Sequence, residues 1–340
     1  MEYKVPHILS SREFYKMLDV FDAIINQDEV FVLDFTNVTK IDAVVIPNLL
    51  LLGRYLEQKT FNIPYIRLGE NLSAGYLKKY LSNIKFYQLS ELYFYYENEA
   101  EKYGGLLGKD MDDRNTTERF SIEDGAVVAR RRLYYNIFPF IKHYLKNFNI
   151  YENDVDLALD QNTFNNNIIA KFLEQMIDNS FAHGMSDAFV TVQTNYKMNR
   201  IYMSISDFGV GFYKSILAEM PTKSSDEVTK NNDNNILMRN PKNELEAIWI
   251  GIYKRRNSET YGLYNVIKSV LKLNGTIRIH SNDTQLILTD RLIDKFLKGT
   301  LINSDQLTRY NIIRTSHFEG VHIEIEIPLN YKSVGEEDHV

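Results

Sequence analysis

Apolar positions recur with a helical period over the stretch from Lys171 to Gly184. They fall at i, i+3 and i+4, the spacing of a helix face that packs on a sheet, at Ile169, Phe172, Leu173, Met176, Ile177 and Ser180. Because each residue turns a helix by about 100°, Gln175, Asn179 and His183 stack along one edge of this stripe. Such an edge borders both core and solvent, so the pattern predicts that these side chains line a pocket floor.

The first part of the chain alternates between helical and strand patterns. A helix is predicted over residues 11–26, opened by a serine cap at residue 10 or 11. The apolar run Val30–Phe35 predicts a buried strand, a strongly apolar helix runs from Ala43 to about Gln58, and Pro64–Leu68 predicts another strand. Strand, helix and strand within about forty residues indicate a parallel crossover unit.

A second α/β region follows a connecting segment. Residues 97–124 are charged, contain glycine and lack periodicity, which predicts a linker, and a helix is predicted over Gly125–Phe148. The polar stretch between Tyr213 and Asn243 predicts a mobile loop. Further elements are predicted at Ala188–Thr194, Arg200–Ser206, Glu244–Arg256, 260–273, Thr276–His280 and Gly320–Pro328. We therefore predict domains at 1–96 and 151–330, a linker with a connecting helix at 97–150, and a disordered tail at 331–340.

Composition narrows the class of protein. A chain of 340 residues has room for about two domains. The net charge of −6 argues against a general nucleic-acid binder, and the absence of cysteine excludes disulfides, thiolate metal sites and a cysteine nucleophile. No apolar run approaches the roughly 18 residues that a membrane span needs, and the N-terminus lacks the apolar core of a signal peptide. We expect a cytoplasmic protein with no membrane contact.

Residues 1–95 resemble the STAS fold of anti-sigma-factor antagonists. In that family a strand ends in Asp, the following loop carries a phosphorylatable Ser, and a helix comes next. Here Asp42 is followed by Ala43 instead of Ser. The resemblance therefore implies a small α/β domain that has lost this phosphoswitch and serves docking or structure.

Three motifs in the second region carry a more specific resemblance. They are the helix with Asn179 and His183, the Asp207-Phe208-Gly209-Val210-Gly211 run after a strand, and Gly262-Leu263 at a helix start. In this order they resemble the GHKL ATP-binding (Bergerat) fold of gyrase-type topoisomerases, heat-shock ninety chaperones, histidine kinases and MutL proteins. The resemblance covers residues 160–330 and implies an α/β two-layer sandwich that binds ATP and Mg²⁺.

The resemblance implies a role for each motif. Asn179 offers Mg²⁺ an amide oxygen, and Asp207 accepts a hydrogen bond from the adenine amino group. Glycines let the backbone approach the base, and a helix start faces the phosphates. The implied ATP-binding residues are Asn179, His183, Asp207, Gly209, Gly211, Tyr261, Gly262, Leu263 and Asn265, and the polar loop between residues 213 and 243 would be an ATP lid.

One departure from the family restricts the chemistry. The hydrolysing gyrase-like members carry a Glu four residues before the Asn, whereas this chain has Gln175. A glutamine can orient a water molecule but cannot take its proton at neutral pH. Glu174 is the obvious substitute, but it points about 140° away from Asn179 on the helix. These two residues are the catalytic candidates, and we expect slow ATP hydrolysis or none.

Two functions stay open at this point, and a third is disfavoured. The preferred one is an ATP-dependent switch that alters a surface for a protein partner or for self-association, since family members often dimerise. The second is a serine/threonine protein kinase like the anti-sigma-factor kinases, which phosphorylate a partner STAS protein. The third, a scaffold that has lost nucleotide, is disfavoured by the intact Asp207-x-Gly-x-Gly motif. An antagonist-like module fused to a kinase-like module suggests a signalling, stress or defence component.

Overall fold

The protein is a mixed α/β structure with one parallel and one antiparallel sheet as its main frameworks. None of the helices in the described ranges is long and apolar enough to cross a membrane. The computed structural model describes residues 1–25, 29–70, 72–97, 115–145, 168–195, 197–219, 240–254, 256, 262–302 and 311–329.

The N-terminal unit is built on a four-stranded parallel sheet of order β1-β3-β5-β6. The predicted crossover unit is confirmed, and Ser10 caps the first helix by accepting a hydrogen bond from the Glu13 N–H at 3.4 Å. In chain order the elements are β1 (Glu2–Lys4), β2 (Ile8–Leu9), α1 (Ser11–Ile24), β3 (Val32–Asp34), β4 (Lys40–Ile41), a 3₁₀ turn (Ala43–Val45), α2 (Ile46–Thr60), β5 (Tyr65–Arg67), α3 (Leu72–Asn83), α4 (Phe86–Ser90) and β6 (Tyr95–Tyr96).

The second unit is built on a five-stranded antiparallel sheet of order β10-β11-β9-β8-β7. Its elements are β7 (Asn115–Phe120), α5 (Gly125–Arg132), a π turn (Leu133–Ile137), α6 (Phe138–Leu145), α7 (Ile168–Asn179), a π turn (Ser180–Gly184), β8 (Ala188–Asn195), β9 (Arg200–Asp207), α8 (Gly211–Glu219), α9 (Glu244–Tyr253), α10 (Leu263–Lys272), β10 (Thr276–Thr289), α11 (Ile293–Lys298) and β11 (Ile312–Pro328).

One face of this sheet carries the apolar core of the second unit. Strand β11 alternates by twos, so Ile323, Ile325 and Ile327 all point to the same side and are buried there. They pack in one cluster with the apolar stripe of α7 and with Val266 and Val270 of α10. The stripe that the sequence predicted is therefore the face by which α7 is held on the sheet.

The opposite face of the sheet is covered by the N-terminal unit. Phe189, Phe208 and Phe318 of the second unit belong to the N-terminal apolar cluster. Asn48 of α2 accepts a hydrogen bond from the Ser206 hydroxyl at 2.6 Å, and the Tyr15 ring of α1 stacks on His280 at 4.4 Å between centroids. The sheet is thus sandwiched between two layers, where the resemblance implied only one.

Two predicted loops contain secondary structure. Residues 115–120 lie in the predicted linker but form the edge strand β7, which pairs with β8 along its length. The helix that starts at Gly125 then packs Leu133 and Ile137 into the second core, so this unit begins well before residue 151. Helix α8 occupies the start of the predicted loop after Tyr213, because Phe212 and Ile216 find apolar partners. Residues 220–239 and 331–340 lie outside the described residues.

Candidate functional site

A cleft of about 120 Å³ opens beside helix α7. Its walls come from α7, the end of β9, α8, α9 and the start of α10. Most of the predicted site residues line it, including Gln175, Asn179 and Asp207. The full lining is Phe172, Gln175, Met176, Asn179, Asp207, Val210, Gly211, Phe212, Ser215, Ile216, Glu219, Gly251, Lys254, Gly262, Leu263 and Val321.

Asp207 is the buried acceptor of this cleft. Its side chain ends strand β9, and only 5% of the residue is exposed. Oδ1 accepts from the N–H groups of Gly209 at 2.8 Å and Val321 at 3.2 Å, and Oδ2 accepts from the Ser180 hydroxyl at 2.9 Å. Burial raises the pKa of Asp207, and these hydrogen bonds oppose the rise. A carboxylate has about four acceptor positions, and the described residues occupy three of them.

The end of α7 holds this carboxylate in place. At Ser180 the helix widens into a π turn and stops at Met185, which has a left-handed φ of 48°. The next residue, Ser186, accepts a hydrogen bond from the Phe208 N–H at 2.9 Å. Sequence reasoning counted Ser180 as part of the apolar stripe and missed both serines. The available signal was a hydroxyl residue at a core position of an otherwise apolar face.

Two glycines are required where the backbone passes close to Asp207 and its neighbours. Gly211 has a φ of +76°, and a Cβ added there would lie 2.2 Å from the Asn282 amide nitrogen. Gly320 has a φ of +104°, and its Cβ would lie 1.9 Å from the backbone oxygen of Asp207. Gly211 was predicted as a site residue, whereas Gly320 was seen only as the start of a strand.

The buried carboxylate of Glu244 holds α8, which forms one wall of the cleft, in place. Glu244, at the start of α9, accepts from the Tyr213 N–H at 3.1 Å, from the Asn282 amide at 3.2 Å and from the Ser281 hydroxyl. The Ser281 hydroxyl in turn accepts from the Phe212 N–H at 2.9 Å. This network fixes the first turn of α8 against β10. No periodic pattern in the sequence marks Glu244, which reads simply as the first residue of a helix.

The structure separates the two catalytic candidates. Gln175 and Asn179 lie on the cleft, as the helical edge predicted. Glu174 is not among the described residues that line it. It forms an ion pair with Arg130 of α5 at 3.2 Å, and burial raises the pKa of its carboxyl. This placement agrees with the predicted offset of about 140° between Glu174 and Asn179, and a catalytic role for Glu174 stays a prediction.

The start of α10 also lines the cleft. Gly262 is the extended cap residue, and its carbonyl accepts the N–H groups of Asn265 at 3.0 Å and Val266 at 3.4 Å. Gly262 and Leu263 line the cleft, and Lys254 adds a cation there that pairs with Glu219 across the rim. Asn265 lies in the first helical turn and is not among the described lining residues. Tyr261 and the His183 side chain lie outside what the structure describes.

No protein-family model matches this chain, and no curated protein matches its sequence. What the cleft can do is therefore inferred from its own geometry. Its lining combines a buried carboxylate, three of whose acceptor positions are occupied by the described residues, with apolar side chains, the start of a helix and a lysine. These are the parts needed to hold a ligand with a polar ring at one end and negative charge at the other.

Proposed function

We propose that this protein binds ATP with Mg²⁺ in the cleft and acts as a nucleotide-dependent switch of the GHKL, histidine-kinase-like type, with slow ATP hydrolysis or none. The observation that carries the proposal is the Asp207 carboxylate. Its three hydrogen bonds from Gly209, Val321 and Ser180 fix it as an acceptor at the cleft wall. The remaining acceptor position suits the exocyclic amino group of adenine.

Other groups that line the cleft support binding of the rest of the nucleotide. Phe172, Met176 and Ile216 supply apolar surface for the faces of the base. The N–H groups of Leu263 and Tyr264 precede the first hydrogen bond of α10, which Asn265 donates to Gly262, and their partial positive charge favours phosphate. Asn179 offers an amide oxygen, a hard ligand of the kind that Mg²⁺ accepts alongside water and phosphate oxygens. Gln175 can orient a water molecule but cannot deprotonate it.

A path from this site to the N-terminal unit supports a switch. The residue after Asp207 is Phe208, which packs edge to face on Phe318 at 6.2 Å and lies under the Arg54 guanidinium at 4.9 Å. Ser206, which precedes Asp207, donates a hydrogen bond to Asn48 of the N-terminal unit. A ligand on Asp207 therefore bears directly on the contact between the two units. A protein partner would sense that contact.

Calorimetric titration of ATP with and without Mg²⁺ tests the proposal. We expect Mg²⁺ to tighten binding, and Asp207→Asn to weaken it by about tenfold or more, since a hydrogen bond to a charged group contributes roughly 1.5–3 kcal/mol. The matched control is Asp294→Asn, because Asp294 is exposed on α11 and lies outside the cleft lining. ATP binding that is absent, or that is equal in both variants, would overturn the proposal.

Phosphate release and label transfer separate the switch from the kinase. We expect little release from the wild type and a gain in Gln175→Glu, because a carboxylate at that position can accept the proton of an attacking water. The control, Gln88→Glu, changes an exposed glutamine of α4 and should leave the rate unchanged. Transfer of label from the γ-phosphate of ATP to a protein would favour a serine/threonine kinase instead.

A further inference from the structure

Two histidine rings are buried where helix α1 of the N-terminal unit packs on strands β10 and β11. His280 of β10 and His322 of β11 are directly paired across the strands, and their ring centroids are 5.3 Å apart. Neither residue is more than 1% exposed. The Tyr15 ring of α1 stacks on His280 at 4.4 Å, and the Phe318 ring stacks on His322 at 4.7 Å. Neither imidazole is therefore open to solvent while α1 is in place.

Hydrogen bonds assign the proton of each neutral ring to one nitrogen. His322 Nε2 lies 3.0 Å from the Glu319 carbonyl oxygen, which can only accept, so Nε2 is the donor. The Thr315 hydroxyl donates to the Ser316 carbonyl and therefore accepts from His280 Nε2 at 3.0 Å. In both rings Nδ1 is thus the unprotonated nitrogen. No hydrogen-bond partner for either Nδ1 atom is found among the described residues.

The surroundings of the two rings offer little to balance an added positive charge. The charged and titratable groups around them are Tyr15, Asp19 and Asp22 of α1, Tyr55 of α2, Arg278 of β10, and His317, Glu319 and Glu324 of β11. Glu324 is the one buried carboxylate of this set. Burial raises the pKa of its carboxyl to about 7, so it is neutral at the lower pH at which a histidine takes up a proton.

A proton on either ring is costly while the contact is closed. Burial lowers the pKa of His322 to about 3, although the backbone carbonyls of Glu319 and Phe318 favour its charged form. Burial and the neighbouring histidines lower the pKa of His280. A ring that reaches water takes up its proton near the ordinary pKa of 6.5. As pH falls below that value, the state in which the rings are solvated therefore gains stability over the closed one.

We propose that the contact between α1 and strands β10 and β11, called here the α1 contact, is acid-sensitive and opens when His280 and His322 take up protons. Opening moves α1 away from the sheet and lets both imidazolium rings reach water. These two are the buried histidines of the described residues, so acid acts on this face of the sheet and spares the apolar core under α7 and α10. Glu324 opposes opening, because its protonated form suits the closed contact.

A single cysteine can report on the α1 contact, since the chain contains none. Ser204→Cys places a thiol on β9, beside Glu324 and two residues along the strands from the histidine pair. Ser204 is 2% exposed, and its hydroxyl has no hydrogen-bond partner among the described residues, so the change removes no such bond. The matched control is Ala129→Cys, at a residue of the apolar core that is also 2% exposed.

Labelling of each thiol by 4,4′-dithiodipyridine is measured at pH 7.5 and pH 5 on the full chain without nucleotide. Each rate is divided by the rate of the urea-unfolded chain at the same pH. Both cysteines are placed in the Glu324→Gln chain, which removes the opposing titration. We expect labelling of Ser204→Cys to rise by about a hundredfold or more at pH 5, since each solvated ring favours the open state by roughly thirtyfold there. Labelling of Ala129→Cys should not rise.

Histidine variants assign the effect to the two rings. His280→Gln and His322→Gln should each reduce the rise by about tenfold or more, because glutamine donates a hydrogen bond without titrating. The control is His7→Gln, which changes an exposed histidine beside Asn37 and should leave the rise unaltered. The proposal fails if labelling of Ser204→Cys is equal at both pH values, or if its rise persists when both rings are replaced.

The emission of Trp249 separates opening of the α1 contact from unfolding. This residue is the single tryptophan of the chain and is buried in the apolar core under α7 and α10. We expect its emission maximum to stay constant while Ser204→Cys becomes reactive. A shift of that maximum at the same pH would overturn the proposal, because the whole chain would then unfold. Since no nucleotide is present, a failure here is independent of the proposed ATP binding.

Discussion

The two faces of the antiparallel sheet are both buried, but they are built from opposite kinds of side chain. On strand β11, Ile323 and Ile325 point into the core under α7 and α10. The residues between and beside them, His322 and Glu324, point to the other face, where each is about 1% exposed. The same short stretch thus contributes one ordinary apolar core and one layer of buried ionisable groups.

The polar face is incompletely satisfied. Burial lowers the pKa of His280, and it lowers that of His322 to about 3, so both rings are neutral at neutral pH. The Nδ1 atom of each ring and both carboxyl oxygens of Glu324 have no hydrogen-bond partner among the described residues, although the Arg278 guanidinium lies 3.8 Å from the Glu324 carboxylate. Since an unpaired buried polar group costs free energy, these groups oppose the stabilisation that Phe189, Phe208 and Phe318 give to the same contact. It is also the contact that a switch would need to loosen.

The largest expected effect is on the apolar face. Ile325→Ala should lower the free energy of unfolding by about 2–5 kcal/mol, because it removes a fully buried side chain and leaves a cavity. Urea denaturation measures the change. Ile8→Ala serves as the control, since Ile8 is 48% exposed and its loss should cost less than about 1 kcal/mol. Equal effects at both positions would contradict the assignment of this face as the core.

The polar face should respond to pH through Glu324. Burial raises the pKa of its carboxyl from 4.5 to about 7 in the folded protein. The folded state therefore holds this proton more tightly than the unfolded state, so stability falls as pH rises between these two values and stays reduced above them. Glu324→Gln removes the titration and should be more stable than the wild type at pH 8, by roughly 2–3 kcal/mol.

Denaturation of both proteins at pH 5 and pH 8 measures this difference. The Gln variant should gain least at pH 5, where the wild-type carboxyl is still largely protonated in the fold. Glu57→Gln is the control, because Glu57 is exposed on α2 and its substitution should leave the pH profile unchanged. A variant that is less stable than the wild type at pH 8 would mean that the charged carboxylate is needed by Arg278, which lies 3.8 Å from it.

The contrast between the faces explains what sequence could predict. Alternation by twos located β9 and the closing part of β11, and the i, i+3, i+4 stripe located α7, because one face of each packs on an apolar core. The same alternation makes Ser204, Ser206 and Glu324 look exposed to solvent. Only the docking of α1 and α2 buries them, and that contact joins residues far apart in the chain. Strand β7 was missed for a related reason, since Thr116, Thr117 and Glu118 give no apolar signal.

The candidate site shows the same division. Gln175, Asn179, Asp207 and Gly211 were predicted because helical geometry and motif order act over short distances, and the structure brings them to one cleft. The groups that hold Asp207 come from other elements. Val321 belongs to the last strand, and no local pattern connects its N–H to a carboxylate 114 residues earlier. The same helical geometry placed Glu174 about 140° from Asn179, and its carboxylate pairs with Arg130 outside the cleft lining.

A smaller effect is expected at the two hydrogen bonds of Asn48, one of which joins the N-terminal unit to strand β9 next to Asp207. Asn48 accepts from Ser206 at 2.6 Å and donates to the Tyr15 hydroxyl at 3.3 Å. Asn48→Ala leaves both partners buried and unpaired, which should cost about 1–3 kcal/mol in urea denaturation. Because Ser206 adjoins Asp207, ATP affinity should change as well. Asn62→Ala, on the turn after α2, is a control that should leave ATP affinity unaltered.

The smallest effect is expected at the edge of the sheet. The hydroxyls of Thr117 on β7 and Thr191 on β8 form a buried hydrogen bond of 2.8 Å between directly paired residues. Thr117→Val keeps the shape and the strand preference but leaves the Thr191 hydroxyl unpaired, so we expect a loss of about 1 kcal/mol. The double variant Thr117→Val with Thr191→Val should recover part of that loss, because it leaves no polar atom of the pair behind. If the double variant is no better than the single one, the hydroxyls do not interact, and β7 is held to the sheet by its backbone alone.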